Sequence, residues 1–242
     1  MGAGNVLGDI LQSGAVPSVR LTDIFRQEEQ SRIVVNAHRV NEGEMPLLNE
    51  KGTDFFFERQ DSFDGAARSI VQLVTERLPK FLHYPEQERL RRAVRGIQVL
   101  APAKKGECGV IALNKALQAR LNPASPEKPS LTWGDTVFRL GDKVMQTRND
   151  YQVEWHKETA AGWEDGTGVF NGDVGFVTEV DTEEHALTVR FDEERDVTYA
   201  SAQLDNLELA YCLSVHKSQG SEFPVVVMPV AGGPPMLLTR NL

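Results

Sequence analysis

The chain has 242 residues, 40% of them hydrophobic and 25% charged, with a formal net charge of −9. Those proportions belong to a soluble globular protein with core enough for one large domain or two smaller ones. They exclude a membrane span, because no apolar run approaches the roughly eighteen residues one needs, and the acidic balance by itself disfavours a nucleic-acid partner unless a groove is locally positive.

No basic, apolar leader opens the chain, so secretion is not expected. Cys108 and Cys212 lie in regular segments without metal-type spacing, which fits a reduced, cytoplasmic protein. In chain order, Asn5 caps a short helix with Val6, Ile10 and Leu11 on one side and Gly14 just past its end. Val16 to Leu21 reads as a strand. A helical pattern runs from Glu28 to Asn41, carried by Ile33, Ala37 and Val40 and ended by Gly43. Asp54 to Glu58 reads as a strand centred on three phenylalanines, and Phe63 to Leu78 as a helix with Ile70, Val71, Val74 and Leu78 inward. The charged run Glu86 to Arg95 is a solvated helix face that Gly96 closes. Ile97 to Leu100 follows as a buried strand.

Straight after that strand stand Ala101-Pro102-Ala103-Lys104-Lys105-Gly106-Glu107-Cys108-Gly109, then a helix with Val110, Leu113, Leu117 and Leu121 inward. A strand, a lysine-bearing glycine turn and a helix start make a ready phosphate site, although the spacing is not that of a Walker A loop. Asn122 to Ser130 is a connector rich in Pro, Ser and Ala. Short strands follow at Asp135–Leu140, Lys143–Gln146, Val174–Val180, Ala186–Phe191 and Arg195–Tyr199. Turns fall at Gly141-Asp142 and Asn171-Gly172-Asp173, and a hairpin loop at Asp181 to His185. The stretch Tyr151 to Gly168 is polar and glycine-bearing and is expected to be mobile. Asn149, Tyr151 and Lys143 are either nucleic-acid contacts or ordinary surface residues.

Near the end an apolar run, Leu209 to Leu213, enters a turn dense in donors and acceptors, and the β-branched run Val225-Val226-Val227 leaves it as a buried strand. Ligands of α/β sheets bind at such strand ends. The turn, Ser214-Val215-His216-Lys217-Ser218-Gln219-Gly220-Ser221-Glu222-Phe223, resembles motif V of superfamily-one DNA helicases in the version carried by RecD-like enzymes, the exodeoxyribonuclease V alpha family. The resemblance implies that Ser214, His216 and Lys217 contact single-strand phosphates while Gly220 and Glu222 approach ATP. Phe25-Arg26-Gln27 is similar to motif IV of the same helicases, where the aromatic stacks near the base and the arginine reaches the terminal phosphate. Asn36 and His38 are backbone-contact candidates, or equally helix-surface residues. Lys104 and Lys105 lie where the family runs against the DNA backbone.

The all-β section, from Gly141-Asp142-Lys143-Val144-Met145-Gln146 through Val169-Phe170-Asn171-Gly172-Asp173-Val174-Gly175, resembles the SH3-like barrel these helicases insert into their second RecA-like domain. The expected fold is therefore α/β: a second RecA-like domain over residues 1–133, the barrel over 134–202, and a return to the parallel sheet over 203–242. No G-x-x-x-x-G-K-[ST] loop and no magnesium-binding Asp-Glu pair is present, and the chain stops where motif VI would begin. A fragment is expected, inactive alone, from an ATP- and Mg-dependent helicase moving 5′ to 3′ on single-stranded DNA. Its partners would be the first RecA-like domain and possible nuclease or helicase subunits of a recombination complex. The competing reading is a non-catalytic SH3-like protein-interaction module.

Overall fold

The computed structural model describes residues 5–19, 31–160, 162–192 and 194–230. The chain forms two compact units that divide between Glu58 and Arg59. No helix among the described residues is long and apolar enough to cross a membrane.

The first unit holds α1 (Val6–Ser13) and α2 (Arg32–Glu42). Both end on a glycine, Gly14 and Gly43, in the left-handed conformation that terminates helices. Helix α2 begins at Arg32, where Ser31 accepts from the Val34 N–H and the Asp54 carboxylate accepts from the N–H groups of Arg32 and Ile33. Two expected strands are not seen among the described residues. Residues 16–19 are irregular, with Arg20 and Leu21 outside the described residues. The run from Asp54 to Glu58 carries no ladder, because Asp54 is drawn to the start of α2 and Phe56 and Phe57 lie exposed.

In the second unit, α3 (Phe63–Gln72) continues through a wide π turn, Leu73–Arg77, into α4 (Leu78–Phe81). Pro79 has no N–H to give and its ring would press on the carbonyl one turn back, so the helix widens ahead of it. Helix α5 (Arg89–Gly96) leads into β1 (Ile97–Ala101), and α6 (Val110–Leu121) follows. Strand β1 is the middle of a parallel sheet between β11 (Cys212–Ser214) and β12 (Val225–Val227). Ile70, Val74, Val99, Leu113, Leu117 and Tyr211 pack one core around it. β12 is an edge strand with Val226 exposed, so its expected full burial is corrected.

Between α6 and β11 the chain builds the β section. The short hairpin β2 (Ser130–Trp133) and β3 (Thr136–Arg139) precedes a seven-stranded antiparallel sheet. That sheet contains β4 (Lys143–Gln146), β5 (Asp150–Thr159), β6 (Gly162–Val169), β7 (Val174–Asp181), β8 (Ala186–Phe191), β9 (Arg195–Tyr199) and β10 (Leu207–Leu209). Its core gathers Phe138, Val144, Val189, Phe191, Val197 and Tyr199.

The stretch from Tyr151 to Gly168, expected to be mobile, is the hairpin β5–β6. Its register rests on cross-strand pairs such as His156 with Asp165, and on Gly166, where a Cβ would sit 2.2 Å from the Trp155 ring. Leu207–Leu209 pairs antiparallel with β4, and Cys212–Ser214 pairs parallel with β1.

A buried polar joint fastens the two sheets. The Lys143 ammonium, expected as a surface contact, is buried and donates to the carbonyl of Val94 at 3.1 Å and to Gln98 Oε1 at 2.9 Å. Gln98 Nε2 in turn donates to the carbonyls of Val99, Ala210 and Tyr211. The Asp142 carboxylate accepts from Asn122, Gln118, the Tyr211 hydroxyl and the Arg139 N–H.

Burial holds the Lys143 ammonium down to about 8, from an ordinary 10.5. The folded-state value lies below the unfolded one, so the penalty for the buried charge is full below about pH 8 and is relieved as pH rises toward 10.5. Against Lys143→Met, the wild-type chain should gain relative stability on the order of 3 kcal/mol across that interval. Denaturant unfolding of both proteins at the two ends of the interval measures it, and a constant difference would refute the assignment.

Candidate nucleic-acid interface

Parallel pairing decides where the lysine loop and the donor-rich turn meet. Ala101, the last residue of β1, is the register partner of Ser214, the last residue of β11. The segments after both strands therefore leave from one end of the sheet. Asn114 of α6 fixes that end, accepting from the Cys212 N–H at 2.8 Å and donating to the Cys212 carbonyl at 2.9 Å.

After β1 the chain folds back on the start of α6. The N–H groups of Val110 and Ile111 donate to the carbonyls of Ala103 and Lys104. These donors were expected to face a phosphate; here the loop's own carbonyls engage them, and the lysine side chains remain. Gly109 makes the closure possible, since a Cβ there would lie 2.5 Å from the Lys105 carbonyl. Lys104 and Lys105 are exposed.

After β11 a 3₁₀ turn spans Val215–Ser218. Ser214 Oγ accepts from the Lys217 N–H at 3.3 Å, and its own proton has no acceptor among the described residues. His216 points into solvent and Lys217 is half-buried. Gly220 sits at φ +85 with open space where a Cβ would be, and Glu222 is exposed on the limb returning to Val225. That limb ends beside Ile97, at the other end of β1.

Lys104, Ser214 and Lys217 surround one small cavity of about 140 Å³, floored by Leu213 and Met145. The fourth polar group on its wall is Glu208, from β10. Its carboxylate meets Lys104 Nζ at 3.0 Å and Lys217 Nζ at 3.5 Å. Burial alone would push the Glu208 carboxyl up; the Lys104 hydrogen bond and the charges of Lys217 and Lys104 outweigh it and hold it below its usual range. Residue spacing gives no hint of Glu208 or Asn114, since both reach the site from elements remote in sequence.

The other expected residues lie elsewhere. Asn36 is buried, with its amide donating to the Leu47 carbonyl and accepting from the Leu47 N–H, so it clamps a loop and offers nothing to a phosphate. His38 is exposed on α2. Phe25, Arg26 and Gln27 lie outside the described residues. On the β section, Asn149 accepts from the Asn171 N–H, and exposed Tyr151 stacks edge-on against Phe170 at 5.6 Å.

Residues 113–191 match the family model for the ATP-dependent RecD-like DNA helicase SH3 domain, and residues 209–242 that for the UvrD-like helicase C-terminal domain. The chain thus carries a stretch similar to the SH3 domain of RecD-like helicases and one similar to the UvrD-like helicase C-terminal domain. The second match takes in Ser214, His216, Lys217, Gly220 and Glu222. The ATP-dependent RecD2 DNA helicase of Deinococcus radiodurans is 33% identical over 228 residues, 94% of this chain and 27% of that protein. RecBCD enzyme subunit RecD of Mycolicibacterium smegmatis is 25% identical, over 99% of this chain and 39% of that protein. The chain thus spans well under half the length of either relative. A crystal structure of Bacteroides Pif1 bound to ssDNA aligns with 91% of this chain and 48% of that one, at 16% identity and a TM-score of 0.47.

Removing the Asn114 clamp should loosen the strand end that carries Ser214. Asn114→Ala leaves the Cys212 N–H and carbonyl without these partners and should cost about 1–3 kcal/mol of stability in denaturant unfolding. A variant as stable as wild type would show that the clamp is dispensable.

Proposed function

We propose that the chain is the second motor domain, with its SH3-like insertion, of an ATP-dependent DNA helicase that moves 5′ to 3′ on single strands in recombination and repair. The observation that carries the reading is the shared sheet end, where the β1 and β11 loops bring Lys104, Ser214 and Lys217 around one cavity. Helicase relatives over nearly the whole chain support it.

In this reading the strand's phosphates lie along the sheet end. The free Ser214 hydroxyl proton is donated to a phosphate oxygen, and Lys104, Lys105, His216 and Lys217 supply positive charge. An acidic chain can bind DNA in this way because affinity depends on local cations and the counterions they displace, not on the net charge. ATP is sensed from this side by Gly220 and Glu222: the open glycine allows close approach, and the exposed carboxylate can accept from a sugar hydroxyl. Phe25, Arg26 and Gln27 are proposed separately as nucleotide contacts. The phosphate cradle and the magnesium ligands are supplied by the first motor domain. Because the 214–224 segment carries both the strand grip and the nucleotide contact, nucleotide-driven shifts of this segment move the grip.

Binding of a fluorescent dT oligonucleotide to the purified chain, followed by anisotropy against salt, tests the grip. Lys104→Ala and Lys217→Ala should each weaken binding by roughly twofold to fivefold and flatten the log–log salt slope by about 0.7. Salt-independent binding, or variants that bind like wild type, would sink the reading.

A further inference from the structure

Both cationic side chains at the cavity mouth already have an anion. Glu208 reaches Lys104 at 3.0 Å and Lys217 at 3.5 Å, from a strand that belongs to the antiparallel sheet and not to the parallel one. One carboxylate thus bridges two lysines carried by two different loops. A phosphate entering between the β1 and β11 loops would need the same two ammonium groups. Lys104 is about two-thirds exposed and Glu208 two-fifths exposed, so the cluster lies at the surface, where an incoming anion can exchange with the carboxylate.

We propose that Glu208 is an intramolecular competitor for the phosphate site, occupying Lys104 and Lys217 in the free chain and being displaced when a strand phosphate takes its place. The inference rests on the strand-binding reading above and adds a regulator to it. Because Glu208 sits on β10, which pairs antiparallel with β4 and sets Glu208 opposite Met145, the competitor is held by the SH3-like section. Strand release is thereby assisted by a group outside the sheet that grips. A single exposed ion pair is weak, so a bridging pair holds the lysines without locking them. That strength suits a site that must let go of each phosphate in turn.

The test compares Glu208→Gln, which keeps shape and removes charge, with Glu183→Gln, which removes the same charge from the exposed β7–β8 turn. With a dT oligonucleotide, Glu208→Gln should bind roughly threefold to tenfold tighter than wild type and show a steeper salt slope. Glu183→Gln should stay close to wild type. If Lys104→Ala and Lys217→Ala weaken binding but Glu208→Gln binds no tighter than Glu183→Gln, the grip stands and the competition is wrong. If the lysine variants bind like wild type, the grip itself fails and the competition with it. A measurement on the wild-type chain avoids any folding defect in the variant. The Glu208 carboxyl, followed by carbon-13 NMR across pH, should titrate higher with the oligonucleotide present than without it. An unmoved titration overturns the proposal.

Discussion

The constraint on which this chain depends is the buried polar joint between its two sheets. Asp142 and Lys143 are neighbours in sequence and both are buried, yet they do not pair with each other. Asp142 takes four donors from Asn122, Gln118, Tyr211 and the Arg139 backbone. Lys143 gives its protons to Val94 and Gln98. Burial pushes the Asp142 carboxyl up, against the bonds that pull it down, and pulls the Lys143 ammonium down. Two charges removed from water without mutual compensation demand full hydrogen bonding, and a misplaced domain would leave several of these groups bare. The joint therefore fixes one relative placement of the antiparallel sheet and the parallel one.

That placement sets up the candidate site. Strand β10 pairs with β4, directly after the joint, and brings Glu208 over the ends of β1 and β11. Without the joint, Lys104 and Lys217 would still share a sheet end, but no carboxylate would stand between them. The β section is thus part of the electrostatics of the candidate site.

The acidic charge of the whole chain and the local cations of the site are compatible on this arrangement. Several acidic residues of the β section are engaged in pairs of their own, such as Asp196 with Arg190 and Glu194 with Lys157. The lysines at the sheet end are carried by the segments after β1 and β11, with the Glu208 carboxylate of β10 between them. A net charge averages over these faces and conceals both.

Much of the architecture was legible in local chemistry. The glycine stops of α1 and α2, the buried β1, the inward leucines of α6 and the strands β4, β8 and β9 follow from periodicity and turn residues that act within a few positions. The donor-rich turn after β11 was legible for the same reason, because Ser214, His216, Lys217, Gly220 and Glu222 are consecutive or nearly so. Tertiary structure alone decided the rest. The β5–β6 hairpin has no apolar alternation and is held by cross-strand partners and a tryptophan lying over a glycine. Asn36 and Lys143 look like surface groups in sequence but are buried by partners 11 and 45 residues away. Glu208 meets Lys104 across 104 residues, a distance over which no local pattern carries information. Short-range propensity writes the elements; the pairing of polar groups far apart in the chain writes the site.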